Sequence, residues 1–118
     1  MQRNSLTTAP QAPVILDPQA HVSRHVARRV RELIGQVRVW SIDGMDARER
    51  RDLLAAGRRF PRPRLVRGTV GGHRLELATD DHGRALGRCD CRAARFGVVC
   101  SHLLALAVHA VALGWEAA

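Results

Sequence analysis

Residues 89–102 of this chain read CDCRAARFGVVCSH, and this segment holds all three cysteines of the 118-residue sequence. Its metal-ligating side chains form two pairs, Cys89 with Cys91 and Cys100 with His102, with eight residues between the pairs. Zinc in proteins is commonly held by four tetrahedral ligands drawn from thiolate and imidazole groups. Cysteines can also be buried for packing without a metal, but four such side chains within fourteen positions favour the metal. The segment therefore predicts one structural zinc site.

The two pairs suit the elements that we expect to carry them. The first pair ends a strand predicted over residues 85–91, where side chains two residues apart point to the same face. The second pair stands at the start of an apolar helix predicted over residues 101–113, and the positive N-terminus of a helix favours a nearby thiolate. Gly97 allows the loop between the pairs to turn back. A strand end and a helix start can thus present all four ligands to one ion.

Two further strand candidates, residues 65–70 and 73–79, precede the cysteines. They are separated by Gly71-Gly72, which is a two-residue signal for a β-hairpin. In the second candidate, leucines alternate with charged residues, and this alternation indicates one buried and one solvated face. The segment therefore predicts a small antiparallel sheet followed by the apolar helix.

This combination resembles the SWIM zinc finger, whose signature is Cys-x-Cys, a variable spacer and then Cys-x-His. The resemblance covers roughly residues 64–113 and includes the glycine-turn hairpin and the apolar helix that begins at the histidine. The stretch over residues 96–102 is also similar to the equivalent stretch of Mutator-type transposases and of bacterial SWIM proteins. The resemblance implies a strand-strand-helix zinc finger in which the same four residues are the zinc ligands.

The resemblance also implies a role in DNA binding or protein–protein interaction, often beside helicases, transposases or recombination factors. The chain departs from such proteins in one respect. Its 118 residues suffice for one small domain, so no catalytic domain of those kinds fits in it. What the zinc finger would act on therefore stays open at this point.

Upstream of the hairpin, the hydrophobic pattern predicts two helices. Apolar residues recur on one stripe over residues 21–37, with arginines on the opposite side, and this pattern is typical of an amphipathic helix. Asp46 and Glu49 have the spacing of a capping box, which predicts a second helix over residues 47–56. The expected fold class is α+β, with N-terminal helices, a small antiparallel sheet and a C-terminal helix around the zinc site. The predicted organisation is a flexible tail (1–20), a basic helical segment (21–63) and the SWIM-like zinc finger (64–114).

The positive charge of the chain is unevenly distributed. The net charge is +8, and residues 24–67 hold thirteen arginines against five acidic residues, whereas residues 68–118 hold five of each. Such an excess favours a polyanionic partner, although a solvated helix face is the more common reason for exposed arginines. We predict phosphate contacts from nine arginines of the basic half, namely Arg24, Arg28, Arg31, Arg48, Arg51, Arg58, Arg59, Arg62 and Arg64.

Other residues allow more than one interpretation. His73 and His82 lie near the predicted site and are alternative ligands, but their hairpin and turn positions favour a surface role. Trp40 and Trp115 could stack on a nucleic-acid base, or they could be ordinary core or edge residues.

Three functional hypotheses follow. The first is a zinc module that binds nucleic acid, with DNA as the expected partner. The second is an adaptor that docks onto a helicase, transposase or recombination factor through the apolar stripe of the first helix. The third, an enzyme, is disfavoured, because four protein ligands fill a tetrahedral zinc sphere and the sequence contains neither His-Glu-x-x-His nor His-x-Glu.

We expect the protein to be cytoplasmic. No run approaches the roughly 20 apolar residues that span a bilayer, and the N-terminus lacks the pattern of a signal peptide. In a reducing compartment, three cysteines favour a metal over disulfides. We expect no membrane contact and no small-molecule substrate.

Overall fold

The computed structural model of the protein describes residues 13–17 and 22–115, and within them six antiparallel strands form one sheet. The α+β class predicted from the sequence is confirmed. The strands are β1 (Val14–Leu16), β2 (Val37–Ile42), β3 (Met45–Asp46), β4 (Leu65–Val70), β5 (His73–Thr79) and β6 (Ala85–Cys89), in the spatial order β1-β6-β5-β4-β2-β3. The helices are α1 (Arg24–Ile34), α2 (Ala47–Ala55), α3 (Arg92–Arg95) and α4 (Ser101–Val111).

The predicted hairpin is present between β4 and β5. Val70 pairs with His73, and Gly71 and Gly72 have φ values of 57° and 83°. Positive φ at both central residues is what a two-residue turn of type I′ requires. Strand β6 then pairs with β5, and it ends at Cys89, two residues before the predicted end.

The core lies between this sheet and α4. Leu103 and Leu106 of α4 are fully buried, as are Val66 of β4 and Leu77 of β5. Complete burial of such a side chain stabilises the fold by about 1.5–3 kcal/mol. The opposite side of α4 is exposed at Val108 and elsewhere, so this helix is less completely enclosed than its apolar sequence predicts. It also ends at Val111, two residues before the predicted end.

Helix α1 packs against α4 through its apolar stripe. Ser23 caps its start, since the hydroxyl accepts a hydrogen bond from the Val26 backbone N–H at 3.2 Å. Val30 and Leu33 on the stripe are buried in the common core. The helix is shorter than the predicted span of 21–37, because it begins at Arg24 and ends at Ile34, Gly35 is its C-cap, and Val37 begins β2.

Helix α2 begins where the capping signal predicts. The Asp46 carboxylate accepts hydrogen bonds from the backbone N–H groups of Arg48 and Glu49, at 2.9 and 3.1 Å. The helix ends at Ala55, one residue before the predicted end, and it packs against β2 and β3.

The structure differs from the predicted organisation at two places. The predicted tail contains β1, whose Val14 and Leu16 are buried and whose residues pair with β6. Most of the remaining tail lies outside the described residues. The sheet also crosses the predicted boundary at residues 63 and 64, because β2 of the basic segment pairs with β4. The basic segment and the predicted zinc finger therefore share one core.

Strand β2 contains a bulge at Trp40. The register between β2 and β4 shifts between Val39, which pairs with Gly68, and Ser41, which pairs with Arg67. Trp40 is the additional residue, as is typical of a β-bulge. A Cβ atom on Gly68 would lie 2.5 Å from the Arg38 carbonyl oxygen. The absence of a side chain at residue 68 thus lets the bulged backbone approach β4.

None of the helices in the described part of the chain has the length and apolar character that crossing a lipid bilayer requires.

We expect Gly68→Ala to lower the free energy of unfolding by about 1–3 kcal/mol, because the added methyl group meets rigid backbone atoms. Gly35→Ala is the matched control, since a Cβ there has no neighbour within 4 Å and the backbone is already helical. Urea unfolding of both variants measures the difference. Equal stability of the two variants would contradict the described approach of β2 to β4.

Candidate metal centre

Four side chains meet where β6 ends and α4 begins. The ligand atoms of Cys89, Cys91, Cys100 and His102 all lie within 4.8 Å of one another. Cys89 is the last residue of β6, Cys91 follows two residues later, and the other two residues flank the start of α4. These are the four residues predicted from the sequence, and their arrangement could bind a metal ion.

The cluster is buried, and one of its polar atoms lacks a partner. The three cysteines are free thiols with little exposure. Among the described residues, the buried Nδ1 atom of His102 has no hydrogen-bond partner. A buried nitrogen without a hydrogen bond lowers the stability of the fold. A metal ion bound by the imidazole and the three sulfur atoms would offset the cost of burying this polar side chain. The donor set therefore fits a metal ion that prefers thiolate and imidazole.

The spacing of the ligand atoms also fits a tetrahedral ion. A zinc–sulfur bond of about 2.3 Å implies sulfur atoms about 3.8 Å apart around one tetrahedral ion. The cluster spans at most 4.8 Å between any two ligand atoms. An ion would thus need only a small inward movement of the side chains.

Cys100 is the thiol best prepared to be a thiolate. A hydrogen bond from the Cys89 thiol, together with one from the Leu103 backbone N–H, lowers the pKa of Cys100 to about 5 against the opposing effect of burial. The Leu103 nitrogen lies 3.4 Å from the Cys100 sulfur, which caps the N-terminus of α4. The shared hydrogen bond with Cys100 and burial raise the pKa of the Cys89 thiol. The Cys89 thiol and the start of α4 thus both favour the thiolate form of Cys100.

His73 supports the cluster from the neighbouring strand. Its ring centroid lies 4.4 Å from that of His102, and its Nδ1 atom lies 2.8 Å from the Asp90 carboxylate. His73 is thus a neighbour of the cluster rather than a member of it. The strand register could have indicated this contact, because Leu75 pairs with Cys89 and two further residues along each strand lead to His73 and Cys91.

The other residues with alternative interpretations lie elsewhere. His82 is an exposed residue of the turn between β5 and β6, where its backbone N–H donates to Asp80. Trp115 is buried, with 2% of its surface exposed, whereas 47% of Trp40 is exposed. Trp115 is therefore a core residue and Trp40 is a surface residue.

The nine arginines predicted to contact phosphates are all exposed. They are not confined to one element: three lie on α1, two on α2, and four in the link between α2 and β4. Some already have intramolecular contacts, since Arg58 lies over the Phe60 ring and Arg64 donates to the carbonyl oxygens of Thr79 and Asp80. All nine are accessible to solvent, and their contact with nucleic acid stays a prediction.

Comparison of the chain with protein-family models, curated proteins and solved structures finds no match.

We expect the purified protein to bind one transition-metal ion per chain, and His102→Ala to abolish or strongly weaken this binding by removing one of four ligands. His109→Ala is the control, because this histidine lies on the same helix outside the cluster. Cobalt(II) titration followed by visible absorption reports both stoichiometry and thiolate coordination. Cobalt binding by the His102 variant that equals binding by the His109 variant would overturn the ligand set.

Proposed function

We propose that this protein is a SWIM-type zinc module that binds nucleic acid, DNA in the first instance, without catalysing a reaction. The observation that carries the proposal is the buried cluster of three thiols and one imidazole, whose ligand atoms lie within 4.8 Å of one another. Its position at a strand end and a helix start agrees with the layout of the SWIM family that the sequence resembles.

Zinc is the metal that suits this donor set best. Thiolates and imidazole select zinc over magnesium, calcium and manganese, which prefer oxygen ligands. Four protein ligands also complete a tetrahedral sphere, and closed spheres of this kind are typical of structural rather than catalytic zinc. The proposed role of the ion is therefore to hold β6 against α4.

The charge of the protein supports a polyanionic partner. The chain has a net charge of +8, and the nine arginines that we predict to contact phosphates are exposed. Arginine binds phosphate through several donors in a fixed planar fork. We therefore place nucleic acid ahead of other partners.

A protein partner is the second candidate, through a surface other than the stripe of α1. The apolar stripe of α1 is buried against α4 at Val30 and Leu33, so it is not available for docking. Phe96 and Val98 instead favour this candidate, because they are exposed in the loop before α4, with 74% of Phe96 accessible to solvent. Binding through such a surface would resist high salt, whereas binding to phosphates would not.

We expect zinc removal to destabilise the whole fold rather than the segment over residues 92–99 alone. Structural zinc sites supply on the order of 10 kcal/mol of folding free energy, and α4 provides fully buried core residues beside the site. A chelator should therefore lower the melting temperature measured by circular dichroism, and added zinc should restore it. An unchanged melting temperature in metal-free protein would contradict a structural zinc.

We expect DNA binding to weaken steeply with salt. Each phosphate neutralised by the protein contributes about −0.9 to the slope of log K against log salt for duplex DNA and about −0.7 for single strands. Fluorescence anisotropy of a labelled oligonucleotide at several salt concentrations measures this slope. The absence of binding to duplex and single-stranded DNA and RNA at low salt would refute the nucleic-acid role while leaving the metal site untouched.

A further inference from the structure

The sheet face opposite α4 carries a group of exposed arginines. Residues of the strands alternate between the core and this face, which we call the outer sheet face. Its charged members are four arginines and one glutamate, namely Arg38, Arg67, Arg74, Arg88 and Glu76. All four arginines are exposed. With the exception of Arg38 and Arg67, these residues lie outside the stretch in which the sequence shows an excess of positive charge.

The strand register places these arginines close together. Arg38 pairs with Thr69, and Thr69 pairs with Arg74, so one row crosses β2, β4 and β5. In the next row, Arg67 pairs with Glu76, which in turn pairs with Arg88. Neighbouring strands lie about 4.8 Å apart, so the two arginines that end each row are roughly 10 Å apart along the strand-to-strand direction.

The positive charge of the outer sheet face is largely uncompensated. Arg67 forms an ion pair with Glu76 at 2.9 Å, and Arg38 donates to the carbonyl oxygens of Gly35 and Val37. Within residues 13–17 and 22–115, no carboxylate lies at ion-pair distance from Arg74 or Arg88. The exposed guanidinium groups of Arg74 and Arg88 can therefore bind an anion, whereas those of Arg38 and Arg67 already have contacts within the protein.

An exposed indole lies two residues from Arg38 on β2. Trp40 is the bulge residue of β2, and it follows Val39, which pairs with the buried Gly68. The register of β2 places it between the position of Arg38 and that of Ser41, which pairs with Arg67. Large aromatic side chains are usually buried, and exposure of 47% leaves a ring surface available for stacking.

We propose that the outer sheet face binds one strand of nucleic acid, with Arg74 and Arg88 on its phosphates and a base stacked on Trp40. This inference rests on the proposed nucleic-acid function and assigns its surface. The charge of the face selects a polyanion, and the indole selects one whose aromatic rings are accessible. Single strands satisfy both conditions, because positively charged surfaces with aromatic platforms bind them through backbone charge and base stacking. In a duplex the base faces are already stacked and unavailable to an indole.

The first test uses the fluorescence of the wild-type protein. The chain has two tryptophans, and Trp115 is buried, so quenching by a bound strand should come from Trp40. The probes are thymidine and uridine oligonucleotides about 15 nucleotides long, at the upper end of the site sizes of one single-strand-binding fold, and a duplex of the same length. We expect quenching by both single strands, and loss of quenching in Trp40→Phe while its affinity, measured with a labelled strand, stays within about threefold.

The second test measures affinity in variants. Trp40→Ala should weaken single-strand binding at least about fivefold, the lower end of the range for one stacked base. The double variant Arg74→Gln with Arg88→Gln should reduce the salt slope by about 1.4, since each lost phosphate contact on a single strand removes about 0.7. The double variant Arg29→Gln with Arg84→Gln is the matched control and should retain the wild-type slope, because both arginines pair with nearby carboxylates and neither belongs to the outer sheet face or to the nine predicted phosphate contacts. Urea unfolding of each variant verifies that these exposed substitutions leave the fold intact.

Several outcomes would overturn this assignment. If the wild-type protein binds single strands but the Arg74/Arg88 variant retains its slope, or the Arg29/Arg84 variant loses it instead, the surface is wrong and the proposed function stands. Stronger binding to the duplex than to either single strand would also contradict the assigned surface and leave the proposed function in place. If the wild-type protein binds none of the probes at low salt, the proposed nucleic-acid function itself fails, and this inference fails with it.

Discussion

The fold depends on the close approach of α4 to the sheet at the end of β6. Gly87 lies beneath α4, where a Cβ atom would come within 2.8 Å of the Leu103 side chain. Two residues farther along the strand, Cys89 meets Cys100 and His102 in the cluster that could bind a metal ion. Because Leu103 directly follows His102, the apolar contact and the cluster belong to one interface between the strand and the helix. The small residues Gly87 and Cys89 of β6 therefore allow α4 to approach the strand, and this approach forms both the core contact and the cluster.

This arrangement explains why the site could be predicted from the sequence. Its ligands lie within fourteen residues, so a strand end, a loop and a helix start suffice to bring them together without any distant contact. The hairpin of β4 and β5 is local in the same sense, because its two-glycine turn sets the register. When the residues that stabilise an element lie close together in the sequence, a short stretch of sequence is enough to predict it.

The remaining sheet could not be predicted in this way, because its pairings are distant. Strand β1 has three residues, and burial of Val14 and Leu16 depends on pairing with β6, about seventy positions along the chain. The sequence of β2 does not show a regular alternation of buried and exposed residues, because the bulge at Trp40 shifts the register between Val39 and Ser41. The position of His73 against the His102 ring likewise follows from strand pairing. Where long-range contacts decide the structure, local pattern is a weak guide.

The arginines of the outer sheet face are also brought together by strand pairing, and the distribution of charge along the sequence does not reveal them. Residues 68–118 hold equal numbers of arginines and acidic residues, yet Arg74 and Arg88 share one face of the sheet, while Asp80 and Asp81 lie in a turn at its end. The pleat also connects this face to the metal centre. Arg88 and Cys89 are adjacent on β6 and therefore point to opposite faces, and Asp90 donates its backbone N–H to the Arg74 carbonyl oxygen at 3.3 Å. An ion bound to Cys89 and Cys91 on one side of the strand would thus also hold the backbone that positions Arg74 and Arg88 on the other.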